Sequence, residues 1–473
     1  MKNRNMWWNC LVFLALAMPL AGILGCGGGS TMQVQPTPQS GTIFVTGTDA
    51  PLASVVSFQV DLTGMSVSDG VNPPQPILSG TQTVDFARLN GLRTLLSLNS
   101  IPAGTYTTVQ ITLANPKISY LNVSPPAKPT ISMLDSTTTP PASLSQSSVT
   151  ILLNQPLVVN SGDLIGLAFD FDLRHSIQVD TNGQVTGLVV PNIGLKAITP
   201  DAPEADIDEL IGGVMSVDLT NKSFVLQGPH GRQLTVQTND QTEFEDGEGL
   251  DQLTTNSIVE VSGKLQRNSL TLLADEVEIL SQDRFVMGGL VTFVDPASGP
   301  ATDFDLFVRS VLPAVNGIKP GETITTLNLD GNEKFFIYRL RTPLGSFAFN
   351  SSLMVAGQRV SAGGALSGSG SSQTLDTKRV VLHHQGKTGT WVVGSTNTAN
   401  GTFQFNANGL AGVLFNGPIT VFTSPFTRWR GGLTGLGDLT GSSAIRLRVV
   451  GLILKDPVSG KPVFVARIVE KLS

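Results

Sequence analysis

The chain has 473 residues, with 36 acidic against 30 basic side chains and a formal net charge of −6. That sign argues against a phosphate-backbone partner, so no nucleic acid is expected, and against electrostatic attachment to anionic lipid. Charged residues make up only 14%, with 50 glycines and 28 prolines. This composition suits sheets joined by Gly/Pro turns, and at roughly 100–200 residues per domain the length points to three or four domains.

In chain order, Lys2 and Arg4 precede an apolar stretch from Met6 to Leu24 that is interrupted by Asn9 and Pro19. The stretch ends in Ile23-Leu24-Gly25-Cys26, followed by Gly27-Gly28-Gly29-Ser30. This pattern resembles a bacterial lipoprotein signal, with Ile23 where leucine is usual. The resemblance implies that residues 1–25 are a removable signal peptide and that Cys26 is the lipid attachment residue. The membrane is then a partner through that lipid, and stable anchoring takes two or more acyl chains. The alternative is an uncleaved anchor, since Trp7 to Leu24 nearly spans a bilayer. The expected address is the bacterial cell envelope, and Gly27 rather than Asp favours the outer membrane under Gram-negative sorting. Cys10 leaves with the signal peptide, so no cysteine remains for a disulfide, a thiolate zinc site or a thiol nucleophile. Residues 26–40 form a lipidated flexible tether.

Residues 41–198 are expected to form a β-sandwich-like domain. The alternation of Val56, Phe58, Val60 and Leu62 with Ser57, Gln59 and Asp61 is that of a half-buried strand. A second alternating run covers 105–113, and further strands are expected at 149–153, 164–171 and 185–190. Phe86, Leu89, Leu92, Leu95 and Leu96 fall roughly on one helical face, predicting a short helix within 85–98. The Pro/Ser/Thr-rich stretch 124–148 reads as a long loop, and the acidic, proline-bearing residues 199–211 read as a linker.

Beyond the linker one theme recurs: a Gly-led strand, several short strands and a closing hairpin. The units are 212–280, 288–383 and a diverged third at 387–470. Glycines at openings and turns suit strongly bent strands, and ring closure removes exposed edges. The fold class expected is therefore all-β and multidomain, an N-terminal β-sandwich-like domain followed by about three small β-barrel-like repeats.

Two family resemblances attach to these segments. Gly41, the Thr48-Asp49-Ala50-Pro51 turn, Ile101-Pro102-Ala103-Gly104-Thr105-Tyr106 and Phe171-Asp172-Leu173-Arg174-His175-Ser176-Ile177 resemble domain-of-unknown-function family 4382, over about 41–198. Gly213-Val214, Thr242-Glu243-Phe244, Val259-Glu260-Val261-Ser262-Gly263 and Ala274-Asp275-Glu276-Val277-Glu278-Ile279 resemble family 5666, clearest at 212–280. Neither family implies a catalytic residue, a cofactor or a ligand.

No constellation reads as an active site, so no catalytic residue, cofactor or metal is expected. Adjacent His383 and His384 point to opposite faces of a strand, which is poor geometry for one metal, and they, His230 and His175 read as surface or turn residues. Asp170 and Asp172 share one face of a strand and are weak metal or acid candidates, set against an ordinary one-sided sheet with Phe169 and Phe171 inside. The acidic cluster Asp240, Glu243, Glu245, Asp246, Glu248 and Asp251 lacks a calcium-loop spacing and reads as a solvated turn. Phe426, Arg428, Trp429 and Arg430, in an expected loop, form a candidate binding surface for a glycan or envelope protein. The function expected is a membrane-anchored, non-enzymatic binding, adhesion or scaffold protein. A polysaccharide-acting hydrolase, an accessory carbohydrate-binding protein and a periplasmic assembly factor are the alternatives.

Overall fold

A computed structural model describes residues 40–472 except 51–54, 90, 123–127, 182–183, 230, 245–248, 268–269, 339–348, 369–373 and 408–416. In the N-terminal region, strand Ser40–Ala50 runs parallel to Leu164–Asp172 and antiparallel to Thr94–Pro102, and Ile193–Ile198 completes a four-stranded sheet. A second sheet is built on the long strands Val55–Ser68 and Gly104–Asn122. The alternation of its first strand places Phe58, Val60 and Leu62 in the core between these sheets. There Phe58, Phe86, Phe169 and Phe171 pack with ring centroids 4.9–6.4 Å apart, within the range of favourable aromatic pairs. A third, small sheet joins Ile177–Val179, Val185–Val189 and Ser143–Leu144.

Three six-stranded sheets follow. The first comprises Ile207–Asp218, Ser223–Gln227, Gln233–Gln237, Glu243–Phe244, Ile258–Leu265 and Leu272–Ser281. The second comprises Val286–Asp295, Asp303–Leu312, Ile324–Asn328, Lys334–Ile337, Arg359–Ser367 and Thr374–His383. The third comprises Gln385–Trp391, Thr402–Ala407, Ile419–Phe422, Arg428–Arg430, Arg446–Lys455 and Pro462–Lys471. Counting strands within each, all three have the spatial order 3-2-1-5-6-4. These sheets are repeats.

Two glycine positions mark them. On the first strand stand Gly212, Gly289 and Gly389, and at the bulge of the fifth stand Gly263, Gly364 and Gly451. A Cβ at any of the six would lie under 3.0 Å from a neighbouring carbonyl oxygen. Only glycine allows strands to approach so closely at a bend.

The arrangement overturns the expected fold class of a sandwich-like domain followed by about three small barrels. All-β and repeated it is, but the sheets do not stand as separate bodies in series. Parallel pairing of the third strand with the sixth closes a ring in the first and third repeats; the described strands of the second pair without that closure. Apolar clusters also cross from region to region. Phe44, Leu95, Leu164 and Ile198 of the N-terminal region share one with Val214, Phe224 and Val259. Leu452 and Leu454 of the third repeat lie in the core of the second. The physical reason is that many strands are apolar on both faces, so each outer face is covered by the next sheet. The described residues accordingly fall in one compact unit.

Three local expectations change with it. The predicted helix within 85–98 is a 3-10 turn, Phe86–Leu89, followed by strand Thr94–Pro102. That strand sends Leu95 and Leu96 to different cores on its two faces, and burial on both sides imitates helical spacing. The supposed linker 199–211 contains the start of strand Ile207–Asp218, with Ile207 and Glu209 buried. Within 124–148, expected to be a loop, Thr130–Leu134 and Ser143–Leu144 are strands. No helix among the described residues is long and apolar enough to cross a membrane.

Candidate functional site

The register of the fifth and sixth strands sets Glu260 directly opposite Glu278 in the first repeat. Both are 0% exposed, and like charges facing across a ladder are destabilising unless neutralised. The second repeat supplies the cations. Arg359 reaches Glu209 at 2.7 Å and Glu260 at 3.7 Å, and donates to the His384 carbonyl at 3.0 Å. Arg379 lies 2.9 Å from Glu278 and stacks 3.7 Å from the centre of the Phe336 ring. Arg88, from the N-terminal 3-10 turn, approaches Glu209 at 3.7 Å. Three regions thus meet in one buried ionic junction.

Burial opposes ionisation of Glu209, but Arg359, Arg88 and Arg309 outweigh it and hold its carboxyl below the usual range. Glu260 goes the other way: burial pushes it up to about 8 against the pull of Arg359, with the Glu209 charge adding to the rise. Burial also lowers Lys387 to about 7, helped by Arg309 and Arg359. His383 is held well below its ordinary value by burial, by Arg359 and by His384.

Within the junction, His383 Nε2 lies 2.8 Å from Ser361 Oγ and His383 Nδ1 lies 3.2 Å from a Glu260 oxygen. Serine, histidine and carboxylate in that order are the parts of an activated nucleophile. Nucleophilic catalysis also needs space for a substrate carbonyl near the hydroxyl, with donors for its oxyanion. Ser361 is only 3% exposed and His383 is 0% exposed, so no substrate reaches the hydroxyl in this conformation. What the array does is set polar and charged groups of two repeats against one another, which fixes how one sheet docks on the other.

The sequence reading missed this cluster. His383 and His384, read as surface or turn residues, are buried because neighbouring sheets cover the outer face of their strand. Alternation such as Val259-Glu260-Val261 ordinarily marks a solvent face. The available signal was a concentration of charge in the hairpins of a chain only 14% charged.

Asp170 and Asp172 lie on strand Leu164–Asp172 opposite the buried Phe169 and Phe171. Asp172 caps the short helix Leu173–Ser176, accepting from the His175 backbone N–H at 3.1 Å, with the His175 ring nitrogen 2.5 Å away. Asp170 lines a cavity of about 410 Å³ with Arg93, Lys196 and Arg448. Its carboxyl is raised by burial and by Asp172. Phe426 is exposed and Trp429 is half-buried against the core of the third repeat. Arg428–Arg430 is a strand rather than the expected loop, because it fills the fourth-strand place beside Pro462–Lys471. In the acidic cluster Asp240 pairs with Lys222 at 2.7 Å; Glu245, Asp246 and Glu248 lie outside the described residues, as do His230 and Cys26. Among the described residues no group of three or more His, Cys, Asp or Glu is placed to hold a metal.

A search of curated proteins found no match. Residues 40–186 match the family described as Domain of unknown function (DUF4382), and residues 212–278 match Domain of unknown function (DUF5666). The chain thus carries a DUF4382 region in its N-terminal sheets and a DUF5666 domain in its first repeat.

Proposed function

We propose that the protein is a lipid-anchored envelope protein with a non-enzymatic binding or scaffold role. The anchor reading rests on Lys2, Arg4 and the Ile23-Leu24-Gly25-Cys26 sequence. The observation that carries the binding reading is the commitment of the buried carboxylates: Glu209, Glu260 and Glu278 meet Arg359 and Arg379 across repeats instead of converging on open space. Sheets interlocked in this way make a stiff body whose outer loops and rims supply contacts. The rim of the third repeat offers one such surface, with Phe422 and Phe426 exposed beside Arg428.

Metabolic labelling with a palmitate analogue tests the anchor: label should enter the wild-type chain and be lost in Cys26→Ser. Binding of the purified chain to envelope glycans and envelope proteins tests the rest, and Phe426→Ser should weaken any contact at that rim. Glycan cleavage lost in Asp170→Asn or Asp172→Asn would replace this reading with a hydrolase.

A further inference from the structure

We propose that the seam between the N-terminal region and the first two repeats is a binding site for a small organic anion, a carboxylate or phosphate on an apolar body. It deepens the binding reading by giving it a site and a ligand class. The seam encloses a cavity of about 480 Å³, within the size range of small-molecule sites, which favour such junctions between regions.

Two guanidinium groups enter the wall from different regions, Arg88 from the turn Phe86–Leu89 and Arg309 from strand Asp303–Leu312. The wall's carboxylates already have donors. Asp85 accepts from Ser57 Oγ at 2.9 Å and from the Phe58 N–H at 3.0 Å. Glu322 is bonded to Lys117. The guanidinium groups are less well supplied. Arg309 donates one Nη to the Val56 carbonyl at 2.7 Å, while its buried Nε has no acceptor. Arg88 Nε likewise has none within hydrogen-bond distance; Glu209, 3.7 Å away, is held more closely by Arg359. Two guanidinium groups on one cavity wall, with the wall's carboxylates already bonded, favour a planar or tetrahedral oxyanion over a neutral polar group.

The rest of the wall is largely apolar, with Leu89, Leu95, Leu96, Ile211, Val286 and Leu312. An inorganic ion would leave that surface wet, whereas an organic anion covers it while its head group meets the arginines.

The test is calorimetric titration of the full chain with benzoate and phenyl phosphate, using benzyl alcohol and benzylammonium as neutral and cationic controls. At least one anion should bind, and the better of the two identifies the head group. Both controls should bind at least tenfold more weakly. Arg88→Met and Arg309→Met should each weaken the anion at least tenfold. Thr83→Trp, at the exposed rim of the cavity, should do the same by filling space while both charges remain, which covers the case of an arginine variant that fails to fold. The proposal is overturned if folded wild-type protein binds neither anion, if benzyl alcohol binds as well as the anions, or if all the folded variants bind like wild type. Such a failure with palmitate labelling and glycan or envelope-protein binding intact would remove the cavity site alone.

Discussion

At equivalent places on facing strands, the first repeat sets Glu260 against Glu278 while the third sets Arg448 against Glu470. The third neutralises itself, with Arg448 and Glu470 3.1 Å apart. The first cannot, and takes its counter-charges from Arg359 and Arg379 of the second repeat. The backbone plan is common to both, down to the bulge glycines Gly263 and Gly451. What differs is where charge is balanced, within a sheet or across a seam. A buried pair across a seam adds little net stability relative to apolar packing, yet losing one partner is costly, so such pairs specify which surfaces dock.

The largest effect should come from removing the shared cation. Arg359→Met leaves the ionised Glu209 buried without its nearest cation, and should cost about 3–5 kcal/mol in denaturant unfolding at neutral pH. A loss below about 1 kcal/mol would break the comparison. Next, Gly263→Ala, Gly364→Ala and Gly451→Ala should each cost about 2–4 kcal/mol and resemble one another, because a backbone clash is indifferent to the surrounding charge. Third, Arg379→Met should cost more than Arg448→Met, by about 1–2 kcal/mol, since Glu470 is 26% exposed and can rehydrate while Glu278 cannot.

A fourth effect is a pH dependence. The folded Glu260 carboxyl, at about 8, titrates above its ordinary 4.5. The folded state therefore binds more protons between those values, and the wild type loses stability as pH rises from about 4.5 through 8. Glu260→Gln removes that slope, so its stability relative to wild type should increase by on the order of 1–3 kcal/mol between pH 5 and pH 8. Lys387, lowered from 10.5 to about 7, acts oppositely, with stability gained as pH rises from 7 to 10.5. The two overlap near pH 7–8, so melts of the variant and wild type must be compared at each pH.

Much of the strand pattern was legible because it rests on local alternation, as at Phe58, Val60 and Leu62, and on glycines at bends, as at Gly212 and Gly263. The repeat theme was legible for the same reason. Docking was not. Leu95 and Leu96 enter different cores, and only knowledge of what covers each face separates a doubly buried strand from a helix. The charged junction was hidden by the same ambiguity: Glu260 and His383 occupy positions that a solvent-facing strand would fill with the same residue types. The pairing of Arg359 with Glu209 spans 150 positions in the chain, and no local spacing announces it.

The contacts of Arg359 make the first repeat depend on a charge borrowed from the second. A double-mutant cycle in unfolding free energy over Glu209→Gln and Arg359→Met tests it most directly. The coupling should be at least about 2 kcal/mol, the double variant being less damaged than the sum of the singles. Additivity within about 0.5 kcal/mol would contradict it, and would make the junction a packing seam that happens to contain charges.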